Sequence, residues 1–221
     1  MALYAHEARA NRADANRELI LLAAERLFAE HGITAVSNRQ ISEAAGQGNN
    51  SAVGYHFGTK TDLVLAVTRR HQVPIEALRS EMLAETLGSG DVRDWVACLV
   101  HPLTEHLESL GTPTWFARFS AQMLTDPQFL PAVTQEALED RTLRKVLEGL
   151  ETSRPDLPPE VLAEREAMVR QLLMHTCAER ERALAEGRPT PRASWSEAAT
   201  GLVDAITGLW LAPFIRDRPN Q

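Results

Sequence analysis

The chain has 221 residues, of which 44% are hydrophobic and 24% are charged, and its formal net charge is −7. These values are typical of a globular protein with a buried core, and they exclude an intrinsically disordered chain. No apolar run is long enough to cross a membrane and the first residues are polar, so the sequence predicts neither a membrane span nor a secretory signal but a cytoplasmic location.

The charge is distributed unevenly along the chain. Residues 1–60 carry six Lys or Arg and six Asp or Glu, so the whole acidic excess belongs to residues 61–221. A neutral first segment can approach nucleic-acid phosphates, whereas the acidic remainder would be held away from them. The charge pattern therefore permits nucleic-acid binding in the first segment but does not establish it.

Apolar residues recur at helical spacing from end to end, and alternation with a period of two is rare. The sequence therefore predicts an all-α fold. Proline and glycine punctuation divides the chain into about nine helices. The first should span about residues 16–31 and end at Gly32; its apolar stripe is Ile20, Ala23, Ala24, Leu27 and Phe28.

A second helix should begin at Ser37, because Ser37 and Gln40 have the spacing of a capping box. Its inward face is predicted to contain Ile41, Ala44 and Ala45. Small alanines there would allow another helix to cross closely, as a compact pair of helices requires.

The stretch after this helix is polar and rich in glycine. Gly46 and Gly48 supply backbone freedom for a sharp turn, and Asn49 or Asn50 can cap a short helix over residues 51–57. Two helical turns are marginal alone, so Val53 and Phe57 should pack on the first two helices. This is the geometry of a helix-turn-helix, whose second helix enters the DNA major groove. A plain three-helix packing corner would produce the same local pattern.

Four motifs together carry a resemblance to the DNA-binding domain of the TetR family of regulators, over residues 17–72. They are Ser37-Asn38-Arg39-Gln40-Ile41, Ala44-Ala45-Gly46, Tyr55-His56-Phe57 and Lys60-x-x-Leu63. The resemblance implies a helix-turn-helix domain that binds double-stranded DNA. Two features depart from the pattern: the turn over residues 46–50 is one residue longer than usual, and Gly54 stands where the family often has a tyrosine that contacts the DNA backbone.

The resemblance assigns candidate DNA contacts residue by residue. Side chains suited to base edges are Asn49, Asn50, Ser51, Ala52 and His56. Side chains suited to phosphates are Arg12, Arg17, Ser37, Arg39, Tyr55 and Lys60. Each also has a plainer interpretation: the asparagines can simply form the turn, His56 can be a packing residue, and the others can be caps or solvated surface groups. Gly54 is explained either by close approach of its backbone to DNA or by crowding within the chain.

Thr59 and Asp62 form another capping-box pattern, which predicts a helix that Pro74 must kink or stop. We therefore expect a DNA-binding domain over residues 1–72 with its connecting helix, and a regulatory domain over residues 73–221. The resemblance implies that this connecting helix couples the two.

Residues 75–221 contain no catalytic, metal-ligand or phosphate-loop motif, so we expect a protein that is not an enzyme and that needs neither metal nor cofactor. Cys98 and Cys177 lack metal-ligand and redox spacing and are best interpreted as core residues. The resemblance implies that this half binds a small apolar or amphipathic effector. The candidate pocket residues are Trp115, Phe116, Phe119, Met123, Met174 and Cys177. An apolar stripe at this spacing is also typical of an ordinary core.

The last predicted helix, about residues 194–215, carries more apolar surface than one seam needs, so we expect one face to meet a second copy of the chain. The predicted dimer residues are Leu172, Trp195, Ala199, Leu202, Ala205, Ile206, Leu209 and Pro213. A helix buried wholly within one chain is the alternative. Together these features predict a homodimeric repressor that binds a palindromic operator and is released by its effector. A DNA-binding activator or architectural protein, or an all-α enzyme acting on small molecules, are the other interpretations.

Overall fold

The computed structural model describes residues 2–49 and 51–214, with side chains from residue 13 onward. Within these ranges the chain is all-helical, which confirms the predicted fold class. The ten helices described are α1 (Ala2–His31), α2 (Asn38–Ala44), α3 (Ala52–Phe57), α4 (Lys60–Thr86), α5 (Val92–Ser109), α6 (Phe116–Thr125), α7 (Leu130–Ala137), α8 (Arg141–Ser153), α9 (Pro159–Ala185) and α10 (Trp195–Leu211).

One helix boundary differs from the predicted punctuation. Pro74 lies inside α4 and does not stop it, but α7 and α8 are separated by a break at residues 138–140 that contains neither glycine nor proline. Asp140 makes this break possible, because its carboxylate accepts hydrogen bonds from the backbone N–H groups of Thr142 at 2.7 Å and Leu143 at 3.2 Å. A side-chain cap thus starts a helix where the backbone itself has no special freedom.

The helix α1 begins far earlier than predicted, at Ala2 rather than near residue 16, because residues 2–15 are rich in alanine and contain no glycine or proline. It ends as predicted at Gly32, whose φ is +93° and whose N–H donates to the carbonyl of Phe28 at 2.9 Å. The capping box at Ser37 and Gln40 is also confirmed.

The inward face of α2 is narrower than predicted. Ile41 and Ala45, one turn apart, are buried. Ala44 is exposed, so its predicted inward position is wrong. With only seven residues, α2 presents a single short row of side chains to its neighbours.

The connecting helix α4 begins at the predicted capping box, with Thr59 as N-cap and Asp62 as its partner. It then continues through Pro74 to Thr86, because Ile75, Arg79 and Leu83 beyond the proline are buried against other helices. Tertiary packing therefore offsets the lost backbone hydrogen bond. The expected domain boundary at residues 72 and 73 falls inside this continuous helix.

The regulatory half is built from α5 packed on α10 and α6 packed on α9, and α6 also touches α1. The rings of Phe28 in α1 and Phe119 in α6 stack with centroids 6.1 Å apart. Gln122 of α6 donates to the carbonyl of Ala29 at 3.1 Å. The first and second halves of the chain therefore share a packed contact in addition to the helix that connects them.

A buried carboxylate fixes the start of α6. Glu181 of α9 is 1% exposed and accepts hydrogen bonds from the N–H groups of Ala117 at 2.9 Å and Arg118 at 3.0 Å, and from the Arg118 guanidinium at 3.0 Å. These contacts satisfy N–H groups that the first turn of a helix leaves without partners. Burial raises the pKa of the Glu181 carboxyl, and the three donors oppose that shift.

Of the helices that the structure describes, none combines the length and the apolar composition that crossing a bilayer requires.

Candidate nucleic-acid interface and regulatory cavity

The short helix α3 has one buried side and one exposed side. Val53 and Phe57 are 1% and 8% exposed and belong to the apolar core. The helix α3 packs mainly on α2 and α4, whereas packing on the first two helices was predicted. On the outer side Tyr55 is 86% exposed, and Ser51 and Gly54 are exposed as well. A helix held only from behind presents its outer surface as a rigid platform, which is the requirement for reading a groove.

The turn before α3 is stabilised by Asn49. Its side-chain oxygen accepts hydrogen bonds from the Ser51 N–H at 3.0 Å and from the Ser51 hydroxyl at 2.6 Å. Asn49 therefore forms the turn, and base contact by the Asn49 side-chain oxygen or by Ser51 requires these bonds to be shared or exchanged. Asn50 lies outside the described residues, so its predicted base contact stays a prediction.

Two predicted phosphate contacts are already engaged within the chain. The hydroxyl of Ser37 caps α2, and the Arg39 guanidinium pairs with Glu43 at 2.7 Å on the exposed surface. Solvent screens an exposed pair of this kind, so a phosphate can compete for Arg39. The pairing with Glu43 raises the pKa of Arg39.

The N-terminal arginines lie on α1. The Arg17 guanidinium sits over the ring of Phe57, 4.9 Å from its centroid, and the Arg17 side chain remains exposed. Arg12 belongs to the part of α1 whose side chains are outside the described residues. Arg17 thus lies directly beside α3. A DNA backbone in contact with α3 would also lie within reach of the Arg17 charge.

Lys60 has a structural role that the sequence did not indicate. Its ammonium donates to the carbonyls of Ile33 at 3.1 Å and Val36 at 2.6 Å, which ties the loop between α1 and α2 to the start of α4. Desolvation lowers the pKa of this partly buried group. Two of its three donors are occupied, which leaves one for the predicted phosphate contact.

Tyr55 and His56 present an aromatic edge near the end of α3. Their rings meet edge to face with centroids 5.2 Å apart, and His56 is half-buried against Phe57. Ala52 is half-buried at the start of the helix. His56 is therefore partly a packing residue, and its predicted base contact is limited to the exposed part of the ring.

The regulatory half encloses a cavity of about 710 Å³ between α4 and α10. Its walls are mostly aliphatic, with residues contributed by each of the seven helices from α4 to α10. Phe116 and Met174 are the predicted pocket residues that line it; others on the wall include Ile75, Leu99, Leu103, Val133, Leu150, Val169 and Leu173. The volume is within the range of small-molecule sites.

Four predicted pocket residues lie elsewhere in the fold. Phe119 stacks on Phe28, the indole N–H of Trp115 donates to Glu30 at 3.2 Å, and the sulfur of Met123 accepts from Thr68 at 3.3 Å. Cys177 is 1% exposed, and burial raises the pKa of its thiol to about 12. Phe119 and Trp115 thus contact α1 and Met123 contacts α4, so these side chains pack between helices instead of lining the cavity.

The sequence analysis missed several polar residues on the cavity wall. Arg79, Arg170 and Trp210 all line it, and each carries a buried nitrogen without a hydrogen-bond partner among the described residues. Their sequence signal is weak because arginine on a helix is normally an exposed residue. Only the fold brings α4, α9 and α10 around one space.

A buried chain of polar contacts runs from the cavity wall to α1. Phe116 stacks on His71 with ring centroids 3.8 Å apart. One nitrogen of His71 is 2.9 Å from a carboxylate oxygen of Glu25, and the other is 2.8 Å from a ring nitrogen of His106. Since a carboxylate accepts, the His71 nitrogen facing Glu25 carries its proton. Phe116 on the cavity wall is thus linked through His71 to Glu25 of α1.

This buried histidine pair predicts a loss of stability in mild acid. Burial, aided by repulsion from His71, lowers the pKa of His106 from 6.5 to about 4. The unfolded chain therefore binds more protons between these pH values, so the free energy of unfolding should decrease as the pH falls from 6.5 towards 4. We expect His106 to contribute on the order of 2 kcal/mol to this decrease. Urea unfolding at several pH values measures it.

The control for this measurement is the exposed His175. His106→Gln should flatten the pH dependence over this interval, whereas His175→Gln should leave it as in the unaltered chain. Equal slopes for both variants would contradict the assignment.

The predicted dimer residues divide between core and surface. Trp195, Ala199, Leu202 and Ile206 are at most 7% exposed within the single chain, so they have almost no surface to offer a second copy. The available residues are Ala205 and Pro213, which are exposed, and Leu172 and Leu209, which are half-buried. Alongside them lie exposed Met168 and Leu211 and the open backbone of Gly208. The four buried residues therefore lie on the inner face of α10. The outer face carries Ala205, Gly208 and Leu211.

Comparison with known proteins identifies the family. Residues 20–67 match the family model for bacterial regulatory proteins of the tetR family, and residues 97–208 match the tetracyclin repressor-like C-terminal domain. The chain belongs to the TetR family. Membership of this family confirms the expectation that the chain is a transcription regulator and not an enzyme.

Sequence relatives of this TetR-family chain include transcriptional repressors. It is 33% identical over 156 residues to the HTH-type transcriptional repressor AcnR of Corynebacterium efficiens, a match that covers 66% of this chain and 73% of the relative. It is 31% identical over 150 residues to the AcnR of Corynebacterium diphtheriae, covering 66% and 72%.

Solved structures agree with the TetR-family fold. A TetR family transcription regulator from Marinobacter aquaeolei VT8 superposes with a TM-score of 0.58 at 16% identity, covering 90% of this chain and 97% of that one. A probable transcriptional regulatory protein superposes with a TM-score of 0.53 at 23% identity, covering 89% and 100%. At these identities the likeness concerns the fold alone.

Proposed function

We propose that this chain is a transcriptional repressor that binds a palindromic DNA operator as a homodimer and leaves it when a small molecule fills the regulatory cavity. The observation that carries the proposal is α3, a two-turn helix packed from behind by Val53 and Phe57 with its other side free. Membership of the TetR family and its relatedness to named repressors support the same conclusion. A cytoplasmic location follows from this function.

For DNA contact, we place the first residues of α3 in the major groove. Asn50, Ser51, Ala52 and the free amide nitrogen of Asn49 would face base edges, with the exposed edge of His56 beside them. Phosphate contacts would come from Tyr55, Arg39 and the N-terminal arginines, with the remaining donor of Lys60. Residues 1–72 would act as the DNA-binding domain and residues 73–221 as the regulatory domain.

For the dimer, we place the contact on the outer faces of α9 and α10. Met168 and Leu211 are 43% and 51% exposed, which is unfavourable for large apolar side chains unless another surface covers them. Ala205 and Gly208 allow close approach of a second backbone. Isologous pairing through this face would present two α3 helices related by a twofold axis, so each half-site of the operator would be read identically.

For release, we propose a population shift transmitted through Phe116. A ligand in the cavity contacts Phe116, which stacks on His71, and His71 is bound to Glu25 of α1. A conformer preferred by the ligand would therefore move α1 and α4 together and change the separation of the two α3 helices. Full switching from 1% to 99% occupancy needs about 5.5 kcal/mol of differential binding.

The experiment for this function is selection of duplexes from a random pool by the purified chain. We expect an enriched sequence with twofold symmetry and half-sites about one helical turn apart. Affinity should fall steeply with salt because phosphate contacts dominate it. Failure to enrich any sequence, or an enriched site without symmetry, would contradict the proposal.

Gly54 offers a further prediction. A Cβ added there would meet nothing within 4 Å, so crowding within the described part of the chain does not explain this glycine. Gly54→Ala should therefore raise the free energy of unfolding by about 1 kcal/mol, because alanine favours the helix. It should also weaken operator binding, because the added methyl occupies space that the DNA backbone would approach. Thermal unfolding and anisotropy titration measure the two effects. Unchanged operator affinity would rule out close approach at Gly54.

A further inference from the structure

The buried polar atoms that lack hydrogen-bond partners on the cavity wall are all donors. Six buried side-chain nitrogen or oxygen atoms lack a hydrogen-bond partner among the described residues, and three of them belong to residues on this wall. They are Nε of Arg79, Nε of Arg170 and the indole nitrogen of Trp210. All three are hydrogen-bond donors and cannot accept. These three donors have no acceptor among the described residues, and an unmatched buried donor is unfavourable.

Arg170 carries a charge that nothing in the described chain neutralises. Arg79 is partly satisfied, since its guanidinium pairs with Asp140 at 2.7 Å. Arg170 has no ion pair or hydrogen bond within the described ranges, although it is half-buried in the wall. The wall's carboxylates, Glu148, Glu151 and Glu166, are exposed to solvent. The half-buried Arg170 thus lacks an ion-pair partner among the described residues, whereas the three carboxylates are exposed.

Arg170 and Trp210 approach the cavity from adjacent helices. Arg165, five residues before Arg170 on α9, donates to the backbone carbonyl of Trp210 at 2.9 Å. Trp210 is only 3% exposed and its indole nitrogen is buried, so the half-buried Arg170 is the more accessible of the two residues.

We propose that the effector is an amphipathic acid, with one carboxylate and an apolar chain or ring. Its carboxylate pairs with the Arg170 guanidinium, and its apolar body lies against the aliphatic wall and Phe116. This inference rests on the proposed function, since it names the chemical class of the molecule that releases the DNA. It distinguishes the cavity from one that selects cations or neutral compounds.

The test compares three probes of equal chain length on the full chain: octanoate, 1-octanol and octylamine. Calorimetric titration should give an affinity for octanoate at least tenfold above that for 1-octanol, with octylamine weakest. Arg170→Gln should reduce octanoate affinity to the level of 1-octanol and leave 1-octanol binding unchanged. Arg182→Gln, an exposed arginine on the same helix, is the control and should keep the preference for the acid.

Several results would overturn the assignment. These are equal or tighter binding of 1-octanol or octylamine, no binding of any probe, or an acid preference that survives Arg170→Gln. A separate titration of the chain bound to its selected duplex identifies the other failure. If octanoate binds the cavity as expected but leaves the DNA complex intact, the acid site stands and the proposed release mechanism fails.

Discussion

Replacing Glu181 by alanine is expected to reduce the free energy of unfolding by about 3–5 kcal/mol, the typical effect of removing one partner of a buried ion pair. The substitution leaves the Arg118 guanidinium with its charge buried and two N–H groups of α6 without acceptors. Because α6 also carries Phe116 and Phe119, the change should loosen both the cavity wall and the contact with α1. Urea unfolding of the purified variant measures the loss.

The matched control is Glu179→Ala, two residues away on α9 and exposed. Its effect should stay within about 0.5 kcal/mol. Glu181→Gln should fall between the two, since the amide keeps one acceptor oxygen but lacks the charge that pairs with Arg118. A loss below about 1 kcal/mol for Glu181→Ala would show that α6 does not depend on this carboxylate.

Gly149→Ala is expected to destabilise the chain by about 1–3 kcal/mol, although alanine is the better helix former. A Cβ at this position of α8 would lie well inside van der Waals contact of the Trp95 ring. Trp95 cannot easily move, because it is 4% exposed and its indole N–H donates to the carbonyl of Ser89 at 3.0 Å. Thermal and urea unfolding should both report the loss.

The same substitution at Gly54 has the opposite expected sign, so the pair separates local crowding from helix propensity. A double-mutant cycle with Trp95→Phe extends the test, because a smaller ring should make Gly149→Ala less harmful and the two changes non-additive. A stabilising Gly149→Ala would mean that α5 and α8 are less tightly packed than the structure indicates.

Local signals in the sequence predicted local structure well. The capping boxes at Ser37 and Thr59 and the terminating glycine after α1 use side-chain and backbone groups a few residues apart, so their spacing along the chain is sufficient evidence. The inner side of α3 was also predictable, because Val53 and Phe57 are the large apolar residues of so short a helix. These local signals are sufficient to predict where the candidate DNA-binding surface lies.

Features that depend on distant parts of the chain were not predictable in this way. The apolar residues of α10 did not indicate whether α5 or a second copy covers them, and Trp195 and Ile206 proved to lie in the core. The apolar spacing of Phe119 and Met123 likewise gave no sign that Phe119 contacts α1 and Met123 contacts α4. The position of Arg170 on the cavity wall depends on how distant parts of the chain fold together. The same is true of the hydrogen bonds that Lys60 makes to Ile33 and Val36.

We propose that two copies of the chain, joined through α9 and α10, present their α3 helices to one operator. Sedimentation of the chain with its selected duplex tests this most directly, using Met168→Arg on the proposed dimer face and Leu87→Arg on an exposed site elsewhere. We expect two chains per duplex for the unaltered protein and for Leu87→Arg, and a monomer with operator affinity lower by on the order of a hundredfold for Met168→Arg. One chain per duplex, or a Met168→Arg variant that remains dimeric and binds normally, would contradict the account.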